Sequence, residues 1–247
     1  MSSDERTQEA GLGLSTTLDA LARGEMQILG LMPNASNYTF LAEIGGGEGR
    51  TLAVYKPEAG ETPLWDFPDG TLGLREVAAY EVARALGWPD VPATVLRDGP
   101  HGPGSVQLFV DFDPDQHYFT LRDTRLEDFR RIALFDAVIN NADRKAGHCL
   151  LGADSRIWLI DHGVCFHVEP KLRTVIWDFA GQPLSEQEFA ELRDLAGSLA
   201  SGELGERLDG LLAAMERDAL AGRIESLISG QAFPVPGSDR HFPWPPV

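Results

Sequence analysis

The pattern of apolar and polar positions divides the chain into a strand-rich first part and a helix-rich second part. Residues 26–32, 38–44 and 51–56 read as three strands, separated by the turn-forming runs 33–37 and 45–49. In the third, Leu52, Val54 and Lys56 share one face by alternation. Together they predict a three-stranded antiparallel meander. A short helix over 15–23, ended by Gly24, precedes it, and residues 1–13 read as a polar, mobile lead-in. A helix is predicted over 74–86, with Thr71 as its cap and Gly87 as its end. Residues 91–96 and 105–110 read as two further strands joined by a Gly/Pro-rich loop. Thr124 and Glu127 have capping-box spacing before a helix carrying Leu126, Phe129, Ile132 and Ala133. Strands at 149–151 and 157–160 flank a turn. Ser185 and Glu188 open another helix to about residue 200, and one or two more follow within 203–228. The Pro/aromatic tail, 229–247, cannot be helical and is expected to lie against the helical part or to dock a partner.

Composition narrows the function classes. With 38 acidic and 21 basic residues the chain carries a net charge of −17, which repels nucleic acid and anionic lipid head groups. No apolar run has spanning length and no charged-then-apolar leader opens the sequence, which points to a soluble, cytoplasmic protein. Two cysteines, Cys149 and Cys165, are too few for a disulfide framework.

Candidate chemistry lies between Leu134 and Phe166. Asp143 and His148 are five residues apart, and Asp161 follows Asp143 by eighteen. Each short motif alone reads as an ordinary polar turn. Together they follow a predicted helix and flank a predicted hairpin, with Lys56 upstream at a strand end. Protein kinases have this layout: a loop aspartate faces the acceptor hydroxyl, a ligand five residues later holds metal, and a second aspartate after a hairpin bridges metal to ATP.

The wording NADRKAGHCLL followed by WLIDHG resembles the phosphatidylinositol 3-/4-kinase superfamily. It looks most similar to small bacterial phosphatidylinositol 3-/4-kinase-like proteins, and more distantly to HipA-type kinases. The resemblance implies an α+β, bilobal protein-kinase-like fold. A small antiparallel β lobe would span about 27–110 and a larger, mainly helical lobe about 111–228. It implies ATP as cofactor with Mg2+ or Mn2+. Asp143 would orient or deprotonate the acceptor hydroxyl, and Arg144 would support the loop or contact the γ-phosphate. Lys56 would hold the α/β-phosphates. Glu76 and Glu81 both lie near the edge of the apolar helix face. The family pattern, Arg75-Glu76-x-x-Ala79-Tyr80 before Ala83-x-x-Leu86-Gly87, favours Glu76 as the partner of Lys56. Ser36 and Asn37 would cradle phosphate in the first turn, and the backbone from Val110 and Asp111 into a hinge at 111–116 would meet the adenine edge. Asp161 and His148 would hold metal.

His148 departs from the family, which has Asn there. Imidazole is a poor ligand for magnesium and a better one for manganese or zinc. His148, Cys149, His162, Cys165 and His167 are neighbours in sequence but match no zinc spacing. The run 162–181 reads as an activation loop. Lys171 and Arg173 in it are either solvated or a spot for an anionic substrate. The leading expectation is a kinase acting on a protein Ser/Thr or a small soluble alcohol, with autophosphorylation included. A pseudokinase that binds nucleotide and acts through partners is the alternative, and AMP transfer on the same fold is a third.

Overall fold

The computed structural model describes residues 3–33, 37–45, 49–237 and 240–247. The chain divides into two units. One comprises Met1–Val77 with Pro92–Phe109, and the other Ala78–Val91 with Val110–Val247. Each is taken by itself.

The first unit is built on a five-stranded antiparallel sheet. Its strands are β1 (Met26–Leu31), β2 (Phe40–Ile44), β3 (Thr51–Pro57), β4 (Thr94–Gly99) and β5 (Gly102–Leu108), in the order β1-β2-β3-β5-β4. The first three form the expected meander. Ala42, Ile44, Ala53, Tyr55 and Val106 are fully buried in the unit's core. Lys56 therefore lies on the opposite, less buried face of β3, with Leu52 and Val54. Gly104 allows β5 to lie close to β3, since a Cβ there would collide with the Lys56 carbonyl oxygen.

Three boundaries differ from expectation. Helix α1 runs from Ser3 to Arg23, although residues 1–13 were expected to be mobile. Glu, Arg, Gln and Ala there favour helix, and the two glycines at 11 and 13 do not stop it. The α1 end is held by Arg97 on β4, which donates to the carbonyls of Leu21 and Gly24 at 3.0 and 2.7 Å. The predicted strands at 91–96 and 105–110 are displaced, because β4 and β5 run on to a tight turn at Pro100 and His101. Helix α2 (Leu72–Leu86) starts two residues early. Its first turn is tied by the Glu61 carboxylate, which accepts the Gly73 N–H at 3.2 Å.

In the second unit α3 (Tyr118–Leu121) and α4 (Leu126–Ile139) precede a two-stranded ribbon, β6 (Cys149–Leu151) with β7 (Ile157–Leu159). Helices α5 (Glu186–Ser201), α6 (Glu203–Leu208) and α7 (Ala214–Gly230) complete it. Phe129, Ile132, Leu134, Phe135, Val138, Ile139, Leu192, Leu204, Leu220 and Ile224 form the core. The capping box expected at Thr124 and Glu127 is not the start of α4. The N-cap is Arg125, and the Thr124 hydroxyl instead donates to the Leu121 carbonyl at 3.0 Å. The short α3 makes Leu121 available there; nothing in the periodicity announced it.

The box at Ser185 and Glu188 forms as expected: Glu188 N–H donates to Ser185 Oγ at 3.2 Å and Ser185 N–H to Glu188 Oε2 at 2.7 Å. Arg130 on α4 adds two bonds to the same carboxylate, at 2.8 and 2.9 Å. The tail lies against this unit. Phe233 is buried beside Phe179 and under Arg130, and Gly181 N–H donates to the Phe233 carbonyl at 3.2 Å.

Burial alone would raise the Glu188 pKa. Bonds from Arg130 and Ser185 outweigh it and hold this carboxyl below its ordinary value of 4.5. A carboxyl whose pKa is lower when folded contributes stability above its unfolded pKa, and the contribution is lost as pH falls through the folded value. The urea midpoint is therefore expected to drop on acidification below pH 4.5. Glu188→Gln should flatten that part of the profile while lowering stability at neutral pH. Equal acid slopes in both proteins would contradict it.

Candidate active site

The first unit brings Lys56 and Glu76 together. The Lys56 Nζ to Glu76 Oε1 distance is 2.5 Å, with the glutamate side chain 4% exposed and the lysine side chain 24%. Strand β3 presents the lysine and the first turns of α2 present the glutamate. Glu81, the other candidate on this helix, belongs to the second unit, where it pairs with Arg207 at 2.7 Å and Arg84 at 3.6 Å. Asn37 uses its side-chain oxygen to accept the Thr62 N–H at 2.8 Å. Ser36 lies outside the described residues, as do 46–48 of the glycine-rich turn.

The second unit brings Asp143, His148 and Asp161 into one neighbourhood. Helix α4 ends at Asn140, whose left-handed backbone (φ 53°, ψ 53°) turns the chain into the loop; Asn tolerates this conformation better than most residues. The Asn140 amide group donates to the carbonyls of His167 and Glu169, at 3.0 and 2.7 Å, and its oxygen accepts the Lys171 N–H at 2.8 Å. The loop after Asp161 is thereby fixed to the helix end. Asn141 accepts the Asp143 N–H at 2.9 Å through its side-chain oxygen. Lys145 Nζ lies 3.3 Å from Asp143 Oδ2. Burial raises the Asp143 pKa, Lys145 pulls it down, and the Asp161 carboxylate pushes it up again; the net direction is upward.

Asp161 follows β7 in a left-handed conformation (φ 63°). Its Oδ2 is 3.3 Å from His148 Nε2. The other ring nitrogen, Nδ1, accepts the Lys145 N–H at 3.4 Å. A neutral ring accepting at Nδ1 carries its proton on Nε2, so His148 here is a donor to Asp161. Among the described residues no group of three or more His, Cys, Asp and Glu gathers as a metal cage. The donor set is instead sparse and carboxylate-based. That fits a magnesium-type ion whose remaining ligands are phosphate oxygens and water. Cys149 and Cys165 are fully buried, and burial pushes the Cys149 thiol up to about 12, away from the thiolate a zinc ion needs.

Arg144, expected either to support the loop or to contact the γ-phosphate, is fully buried. Its Nε and Nη2 donate to Asp136 at 3.0–3.1 Å, Nη1 donates to the Ile160 carbonyl at 3.0 Å, and Nη2 lies 2.8 Å from His162 Nε2. Asp136, Asn141 and Lys145 were missed by sequence reasoning. Asp136 did carry a signal: it is the one charge within the apolar run from Leu134 to Ile139. Of the hinge backbone, Val110 is half-buried and Asp111 exposed, but the Asp111 carbonyl accepts the Ala153 N–H at 3.2 Å and Asp113 N–H donates to Leu151 at 3.0 Å. This backbone is therefore partly paired within the second unit. Lys171 and Arg173 are half-buried, and Arg173 is bonded on both backbone sides to the Asp143 loop: its N–H donates to Asn141 at 2.9 Å and its carbonyl accepts from Arg144 at 3.0 Å.

Comparison with solved structures places this fold in the protein-kinase-like class. The Helicobacter pylori proinflammatory kinase CtkA aligns with a TM-score of 0.52 and 12% identity, covering 86% of this chain and 94% of that one. The chain belongs to the family of the Mycobacterium tuberculosis protein Rv2133c, with 43% identity over 94% of this chain and 98% of the relative. A phosphatidylinositol 4-kinase gamma 4 of rice is 30% identical over 51% of this chain; the match spans 26% of that relative's length. No protein-family model matches.

The Arg144–Asp136 pair has no solvent exposure on either side chain. Removing one member leaves a buried charge unpaired, so Arg144→Met is expected to destabilise the protein by about 3–5 kcal/mol. Urea unfolding followed by circular dichroism checks it; a loss below about 1 kcal/mol, the range of an exposed pair, would contradict it.

Proposed function

We propose that this protein is an ATP-dependent phosphotransferase whose acceptor is a protein Ser/Thr or a small soluble alcohol. The observation that carries the proposal is the Lys56–Glu76 ion pair. A strand lysine fixed by a helix glutamate is what a kinase uses to hold the α/β-phosphates. The second unit supplies residues of the complementary types in Asp143 and Asp161.

A divalent cation, Mg2+ or Mn2+, held by Asp161 together with phosphate oxygens, would neutralise charge on the transferring group. His148 would orient Asp161 through its Nε2 proton. Asp143 would accept the hydrogen bond of the acceptor hydroxyl and take its proton. The new bond forms between the acceptor oxygen and the γ-phosphorus, the bond from that phosphorus to the β–γ bridging oxygen breaks, and ADP leaves. The upward shift of Asp143 suits a proton acceptor. Most of the rate enhancement would come from positioning and charge neutralisation. Net charge of −17 favours a soluble acceptor over an anionic lipid surface, and among the described residues no helix is long and apolar enough to cross a membrane.

The orientation of His148 favours one second reading, a nucleotide-binding pseudokinase: Nε2 turned to Asp161 gives up the ligand that Asn supplies in related loops. Incubation with γ-labelled ATP separates the two. We expect label on protein or as free phosphate, reduced by about 10²–10⁴-fold in Asp143→Ala and Asp161→Ala. ATP binding without label transfer would leave the pseudokinase, and label from α-labelled but not γ-labelled ATP would mean AMP transfer. In the same assay His148→Asn is expected to raise magnesium-supported turnover relative to manganese, because an amide oxygen would add a hard ligand where the imidazole is turned to Asp161. An unchanged ratio would remove His148 from metal selection.

A further inference from the structure

We propose that Asp136 is a positioning residue that sets Asp143 and Asp161 in register with each other. Asp136 touches neither acceptor nor nucleotide. It is fully buried in the last turns of α4, and two arms leave its carboxylate.

The first arm reaches Asp143. Asn141 Nδ2 donates to Asp136 Oδ1 at 3.0 Å, which fixes the Asn141 amide with its oxygen turned to the Asp143 N–H at 2.9 Å. The second arm reaches Asp161. Arg144 binds both Asp136 oxygens and passes its remaining donors to the His148 carbonyl and to Ile160 and His162, the last two on either side of Asp161. One carboxylate therefore governs the backbone that carries the proposed base and the backbone that carries the proposed metal ligand. The Asp136 main-chain carbonyl also accepts the Asn140 and Asn141 N–H groups, so helix end and loop start share this residue. A packing role needs no such arrangement: an apolar residue would fill the space at less desolvation cost.

The inference rests on the phosphotransferase reading, and the experiment separates the two. Three variants of the full chain are compared with the wild type. Asp136→Asn keeps the size but puts an amide N–H against the donors of Arg144 or Asn141. Asn141→Ala removes the first arm and leaves the Arg144 pair. Ile224→Ala, in the α7 core, is a destabilised control outside the network. The readouts are Tm, kcat and KM for ATP, and Mn2+ affinity of the ATP-bound protein by electron paramagnetic resonance.

Asp136→Asn is expected to lower kcat by about 10²-fold, as misplacement by an ångström does, with KM for ATP within about twofold. Its Mn2+ affinity should fall by about tenfold, the effect of losing an outer hydrogen-bond partner at a metal site. Asn141→Ala should lower kcat while leaving Mn2+ affinity in place. Ile224→Ala should lower Tm and neither of the others. If Asp136→Asn changes kcat and Mn2+ affinity no more than the control does, the proposal fails. If the wild type binds Mn2+ with ATP but does not turn over, the phosphotransferase reading fails alone. Mn2+ affinity in Asp136→Asn against the control then decides the positioning role. Absence of Mn2+ binding in the wild type overturns both. Should Asp136→Asn not fold, an unchanged kcat in Asn141→Ala overturns the proposal.

Discussion

The second unit depends on a charge pair that has no contact with water. Burying an arginine and an aspartate is costly, and the attraction between them compensates only when the geometry is good and the remaining donors are satisfied. Here both conditions hold. Burial would by itself lower the Arg144 pKa; the Asp136 carboxylate more than offsets it, so the guanidinium stays charged. Its donors reach Asp136, Ile160 and His162. The end of α4 and the segment 160–162 thus meet on one planar group, which a lysine, with its point charge, does not replace.

The same use of arginine recurs through this unit. Arg223 on α7 donates to the Val138 carbonyl at the end of α4 and to His167 in the following loop; burial lowers its pKa to about 10. Arg130 gathers Glu188, Gln182 and Pro183 and stacks over Phe233. In the first unit Arg97 caps α1. In a chain with 21 basic residues against 38 acidic ones, these cations are drawn into internal bonds.

Much of the fold was legible because its signals are local. Alternation over 51–56 and the turns around it define a strand whatever surrounds them, and the Ser185–Glu188 box closes within one helical turn. The misreadings came where two local signals competed. At residues 1–13, polar, acidic and terminal character was given more weight than the helix formers within it. At Thr124, the hydroxyl found the Leu121 carbonyl of a helix too short to show in a pattern, and α4 began without it. At 97–104, glycine and proline read as loop, yet Pro103 and Gly104 fit β5 because β3 approaches closely at Gly104.

The sequence by itself determined which residue types are available and how they are spaced: an antiparallel meander carrying Lys56, then a helix with two glutamates, then Asp143, His148 and Asp161 on loops around a ribbon. These follow from short-range periodicity and turn chemistry. Tertiary structure alone decided which glutamate meets Lys56, because the choice rests on where β3 lies against the first turns of α2. It decided that Arg144 faces inward, because an arginine's burial depends on a carboxylate waiting in the core, and Asp136 on α4 is that carboxylate. It also turned His148 toward Asp161, since a ring's orientation follows the hydrogen bond its other nitrogen makes, here with the backbone of Lys145.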